Sequence, residues 1–132
     1  MDLASSIACD DIEPDNIDGY ENDSGFPLTA TDAVNFDNFL VSAAHARNMT
    51  IGQESCSDLA SQFAEVFDWA LVEECYQIGE CAFYQPFSDR GKALLLAEYV
   101  SLQSAWCVGA KSRAFSLAQF PLNLEGLRNY CP

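Results

Sequence analysis

Three apolar runs of this chain end on acids. Ser6-Ile7-Ala8-Cys9 leads into Asp11-Ile12-Glu13 and runs out at Pro14-Asp15-Asn16, Trp69-Ala70-Leu71-Val72 runs into Glu73-Glu74, and Ala93-Leu94-Leu95-Leu96-Ala97 runs into Glu98-Tyr99. If the runs are parallel strands, their carboxyl ends share one side of the fold, and acids remote in sequence converge there. A converging carboxyl pair is what cleavage of a glycosidic bond needs: one proton donor, and one nucleophile or water-activating base. The apolar run before Glu73 predicts a surround that raises its pKa and keeps it protonated as the acid. Asp15 shares a polar loop with Asn16 and Asp18 and is expected to stay ionised. One strand-end acid alone is better explained as a helix cap or a solvated charge, and three in successive units bring the two readings level.

Those acids need a scaffold of alternating strands and helices, and the pattern supplies one. The first strand stops at Pro14, which cannot donate to a sheet ladder. After a polar loop to Leu28, Thr29 or Thr31 can cap a helix with Asp32 at its positive end. Phe36, Phe39, Leu40, Ala43 and Ala44 then recur at helical spacing as one apolar face. Met49–Gly52 reads as a second strand. Ser57 opens a helix with Leu59, Phe63, Val66 and Phe67 on its face. Trp69–Val72 and Ala93–Ala97 are further strands, a helix runs over about 102–112, and a last strand lies at Ala114–Leu117. Strands apolar on both faces, alternating with helices, indicate a parallel sheet covered by helices. The fold class is α/β, with about five parallel strands. Phe36, Phe39, Phe63 and Phe67 are expected in the core, Trp69 in packing, and Tyr20, Phe26 and Tyr99 against sugar rings. His45, the single histidine, is expected to be a polar helix residue rather than a catalytic one.

Composition narrows the partners. The chain has 132 residues, 20 acids, 6 bases and a formal net charge of −14, a length that fits one domain over residues 1–132. Ten acids precede the first base, Arg47. A surface of this sign repels phosphates, which excludes unaided nucleic-acid binding and favours a cationic partner. No apolar run approaches the ~20 residues of a membrane-spanning helix. Six cysteines (Cys9, Cys56, Cys75, Cys81, Cys107, Cys131) form no C-x-x-C pair and have no companion histidine cluster. They read as two or three disulfides of an oxidising compartment rather than a metal site. Residues Met1–Ser6 carry no export signal. Cysteines that imply export and a start without its signal together predict a chain that lacks its beginning.

The segment Cys9-Asp10-Asp11-Ile12-Glu13-Pro14-Asp15-Asn16-Ile17-Asp18-Gly19-Tyr20 resembles the G-x-x-P-D-N-x-D-x-Y segment of glycoside hydrolase family 114. The likeness continues through Gly25–Thr29, Ala43–Arg47, Glu73-Glu74-Cys75-Tyr76-Gln77, Glu80-Cys81, Tyr84, Gly91-Lys92 and Glu98-Tyr99, and into the tail from Trp106 to Cys131. The resemblance implies a (β/α)8 TIM barrel, here partial, without its first three strands. It also implies an extracellular glycosidase that cleaves galactosamine-rich polysaccharide, as an endo-α-1,4-polygalactosaminidase does, or acts as an α-galactosidase, and it calls for no cofactor. By the same resemblance, Asp15 and Glu73 are the catalytic acids. Asn16, Asp18, Tyr20, Glu98 and Tyr99 bind substrate, and the bridges are Cys75–Cys81 and Cys107–Cys131. Cys9 and Cys56 are left to pair with each other or with a partner outside this sequence. De-acetylated galactosamine is a polycation, which suits the acidic surface. One departure stands out: where the family reads I-G-x-K-N, this chain has Ile51-Gly52-Gln53-Glu54-Ser55. Glu54 in place of lysine reverses a charge beside the acids and is expected to shift their pKa values upward. The runner-up reading is a catalytically silent remnant that binds cationic glycan or nothing.

Overall fold

The computed structural model describes residues 1–131. A short helix α1 (Asp2–Ser6) precedes β1 (Asp11–Ile12), α2 (Ala30–His45), β2 (Thr50–Glu54), α3 (Ala60–Phe63), β3 (Trp69–Glu73), α4 (Cys75–Ile78), α5 (Gln85–Asp89), β4 (Ala93–Glu98), α6 (Ser104–Ser112), β5 (Ser116–Gln119) and β6 (Asn129–Tyr130). The six strands lie in chain order in one sheet. β1 to β5 pair in parallel, and β6 adds antiparallel to β5. The expected alternation is therefore present, with five parallel strands.

Register sorts the side chains onto two faces. Gln53 aligns with Ala70, which aligns with Leu94, and Val72 aligns with Leu96 and then Leu117. This face carries the core: Ile51, Phe63, Phe67, Phe87, Leu94 and Leu96 are almost fully buried, each contributing about 1.5–3 kcal/mol. The opposite face aligns Gly52 with Trp69 and Ala93, Glu54 with Leu71 and Leu95, and Glu73 with Ala97 and Ala118. Gly52 has a steric reason to be glycine. A Cβ there would lie 2.5 Å from atoms of the Trp69 ring.

Helix α2 starts as expected, with a capping box in which the Thr29 hydroxyl accepts from Asp32 N and Asp32 accepts from Thr29 N. Its buried face is only partly the expected one, since Ala44 is buried and Leu40 packs against the core but the two phenylalanines do not. Phe36 and Phe39 are 59% and 65% exposed, whereas Asp37, Val41 and Ala44 face the core. A polar residue inside the true stripe made the neighbouring aromatic stripe look like the apolar face. Ser6–Cys9 is not a strand but the end of α1 and its turn. Cys56, not Ser57, sits at the cap of a one-turn 3-10 helix before α3, and β5 lies two residues later than expected. Cys75–Cys81 and Cys107–Cys131 are bonded. Cys9 and Cys56 are free thiols, the first exposed and the second buried, so they do not pair with each other. Among the described residues, no helix is long and apolar enough to cross a membrane.

Candidate active site

The chain leaves β1, β2 and β3 abruptly. Asn16, Ser55, Cys56 and Glu74, which follow the carboxyl ends of these strands, all have positive φ, between 54° and 65°. Side chains without glycine's freedom are held there in a costly conformation, of the kind that clusters at functional sites. The result is a cleft of about 380 Å³ at the strand ends.

Asp15 and Glu73 both line this cleft, as do Asn16 and Asp18. The Asn16 N–H donates to Glu54 Oε2 at 3.0 Å. One Asp18 carboxyl oxygen is buried and lacks a partner. Tyr99 donates a hydrogen bond to Glu73 Oε1 and so ties the end of β4 to the end of β3. Two of the expected substrate contacts lie elsewhere. Tyr20 directs its hydroxyl to Asp58 at 2.6 Å, lies 3.7 Å from Cys56 Sγ, and lines a separate apolar hollow beside α2. Glu98 is fully buried on the helix-covered face of β4, where its Oε1 accepts from Tyr76 N at the start of α4. Strand alternation explains the difference. Glu98 follows Leu94 and Leu96 at period two, so it points to the core side, while Glu73 follows Trp69 and Leu71 to the other. His45 is half-exposed and pairs with Asp68 at 2.9 Å, away from the cleft.

The expected apolar enclosure of Glu73 is absent, because the residue is exposed at the strand end. The carboxyls held above their ordinary range are others. Glu13 is pushed up to about 7, first by loss of solvent around its carboxyl and then by the negative Glu54, Asp15 and Glu73. Glu54 is raised mainly by burial and also by Asp15, against hydrogen bonds from Ser55 and Asn16 that favour its charge. Glu98 is raised by burial, partly offset by the Tyr76 N–H. Sequence reasoning placed Glu54 beside the acids, where it lines the cleft, but missed Glu80 and Tyr84. Counting in twos along β2 from Gly52 gives the face on which Glu54 lies. Among the described residues, no lysine, arginine or histidine lines the cleft, and no three His, Cys, Asp or Glu are grouped to hold a metal ion.

The profile of glycoside-hydrolase family GH114 matches residues 1–132. The chain belongs to this family. A solved structure, Aspergillus fumigatus Ega3 in complex with galactosamine, is 36% identical to it and superposes with a TM-score of 0.88. The match covers 98% of this chain and 57% of that one, so the chain spans little more than half the length of this GH114 relative. The five parallel strands and their helices are accordingly part of a TIM barrel. No curated protein matches the chain.

Proposed function

We propose that this chain forms part of a single GH114 glycoside hydrolase domain. The reaction is hydrolysis of α-linked, galactosamine-containing polysaccharide by paired carboxylates. Asp15 serves as nucleophile or base and Glu73 as proton donor, with Tyr99 orienting Glu73 through the hydrogen bond it donates. The observation that carries this reading is the meeting of Asp15 and Glu73 in one cleft at the carboxyl ends of separate parallel strands. Family membership and a relative solved with galactosamine support the substrate class. Among the described residues no lysine, arginine or histidine lines the cleft, and this and the net charge of −14 fit a polycationic chain. At ~8 Å of screening length in physiological salt, this attraction weakens as salt is added. Two disulfides fit an extracellular setting.

A second reading is favoured by one observation. Glu54 adds a further acid to the cleft where the family sequence carries a lysine, and a cleft so changed can bind cationic glycan without cleaving it. Release of reducing ends from polygalactosamine, by this chain and by Glu73→Gln, separates the two. Hydrolysis is expected to fall by about 10²–10⁴-fold in the variant, the usual range for a lost acid or base. Glu73 is exposed, so the variant should stay folded. Equal release by both proteins removes Glu73 from the mechanism, and no release by either leaves glycan binding alone.

A further inference from the structure

The cleft holds more carboxyls than a two-carboxyl reaction uses. Glu54 is 7% exposed and sits at the end of β2, between the ends of β1 and β3. Its Oε2 takes hydrogen bonds from Asn16 N at 3.0 Å and from the Ser55 hydroxyl at 2.5 Å. Asp15, adjacent in sequence to Asn16, lines the same cleft as Glu54. Glu13 and Asp15 face it from the β1 side, and Glu73 and Tyr99 from the β3 and β4 side. Glu80, Tyr84 and Cys56 complete the wall, and no lysine, arginine or histidine lines it. Two unit charges 4 Å apart repel by about 4 kcal/mol at an effective dielectric of 20. Adjacent carboxyls without a counter-ion therefore relax by holding a proton between them. The wall also offers unsatisfied polar atoms to a ligand. One Asp18 oxygen is buried without a partner. Tyr84 is 2% exposed, and the described residues supply its hydroxyl with no hydrogen-bond partner.

We propose that Glu54 makes this cleft a proton–cation exchanger: the proton held by its buried, crowded carboxyl leaves to solvent when an ammonium group of an amino sugar enters. The inference rests on the reading of the cleft as a site for galactosamine polymers, and it adds a regulation to that site. One carboxyl O–H bond breaks, and its proton passes to water and buffer. No covalent bond forms to the sugar, whose N–H groups donate to the carboxylates instead. An N-acetylated ring brings no charge and cannot take the proton's place. Burial raises the Glu54 carboxyl above its ordinary range, and burial with the neighbouring acids pushes Glu13 up to about 7.

Titration calorimetry of the whole chain with an α-1,4-linked galactosamine oligosaccharide, at pH 6.5 in phosphate and in imidazole buffer, tests this. The apparent enthalpies should differ by the buffer ionisation heat of about one proton. Affinity should rise toward tenfold per pH unit between about pH 5.5 and 6.5, as coupling to one proton requires. The N-acetylated oligosaccharide should show no buffer dependence. Glu54→Gln should bind the galactosamine oligosaccharide without the buffer difference. Glu54→Asp should restore the difference, which separates loss of the exchange from loss of fold. Binding with a buffer-independent enthalpy overturns the exchange and leaves the galactosamine reading standing. Failure of the unsubstituted chain to bind either oligosaccharide overturns both. Proton release that survives in Glu54→Gln removes Glu54 from the role.

Discussion

Two cavities of similar size divide the chemistry of this sheet. The cleft at the ends of β1–β3 has a volume of about 380 Å³, and a groove between β4, β5 and α6 about 430 Å³. Size therefore says nothing about which one works. The groove is walled by Leu71, Leu96, Ala110, Phe115 and Leu117 and fastened by Cys107–Cys131, with Lys111 its one charged residue. The cleft is walled by residues from strand ends and loops, six of them acids (Asp15, Asp18, Glu21, Glu54, Glu73 and Glu80), on backbone bent through left-handed positions. Strand interiors and a helix face provide cohesion. Strand ends provide reactive groups, and their mutual repulsion opposes folding.

The strongest way to break this division is a change confined to the apolar side. Leu96 is almost fully buried and touches the groove. Leu96→Ala should cost about 2–5 kcal/mol of stability, through lost transfer energy and a residual cavity, read from denaturant unfolding. Affinity of the folded fraction for galactosamine oligosaccharide should not change. A matching loss of affinity under conditions where the variant stays folded would show the two cavities to be one cooperative unit.

A carboxyl of the cleft's kind set in the groove's kind of surroundings sharpens the contrast. Asp37 is fully buried in α2, both its oxygens lack partners, and burial pushes its pKa up to about 6 from 3.8. The folded state therefore holds a proton that the unfolded state gives up between these values. Its contribution is fully present below about pH 4 and is lost as pH rises through about 6, a change of order 3 kcal/mol. Asp37→Asn should remove this pH dependence and exceed the native protein in stability above about pH 7, measured by urea titration across the pH range. A stability curve unchanged by the substitution would place the proton elsewhere.

These residues also mark how far the sequence could be read. The parallel order and the place of Glu73 followed from apolar runs and the acids that end them, because strand ends of a parallel sheet share a side whatever fills the loops. Asp15 reached the same cleft through the short β1 and its stop at Pro14, not through Ser6–Cys9, which is no strand. The Thr29 cap was legible because its partner is three residues away. Asp37 was not, since a buried acid interrupts the apolar spacing by which a helix face is recognised, and Phe36 and Phe39 beside it offered a better-looking stripe. Glu98 misled for a related reason. It ends a strand as Glu73 does, but one position out of phase, and only the register reveals that phase. Glu54's face could be counted in twos along β2 from Gly52, but no local signal announces the left-handed turn at Ser55-Cys56 or the arrival of Glu80 and Tyr84 in the wall.

The smallest expected effect tests whether the cleft's loop has a stability of its own. Residues 14–28 carry Asp15, Asn16 and Asp18, and they end at the capping box of α2, where Thr29 and Asp32 satisfy each other's backbone N–H groups. Thr29→Ala removes one of these acceptors from an exposed position, at a cost of about 1 kcal/mol. Opening of such units is local when few buried contacts tie them to the core, and Phe26 and Leu28 in this loop are exposed. Hydrogen exchange should therefore quicken in residues 14–32 while the amides of Leu94 and Leu96 in β4, beside the groove, keep their protection. Equal quickening in β4 would mean that the loop and the apolar half open together, and that the cleft has no mobility separate from the rest of the sheet.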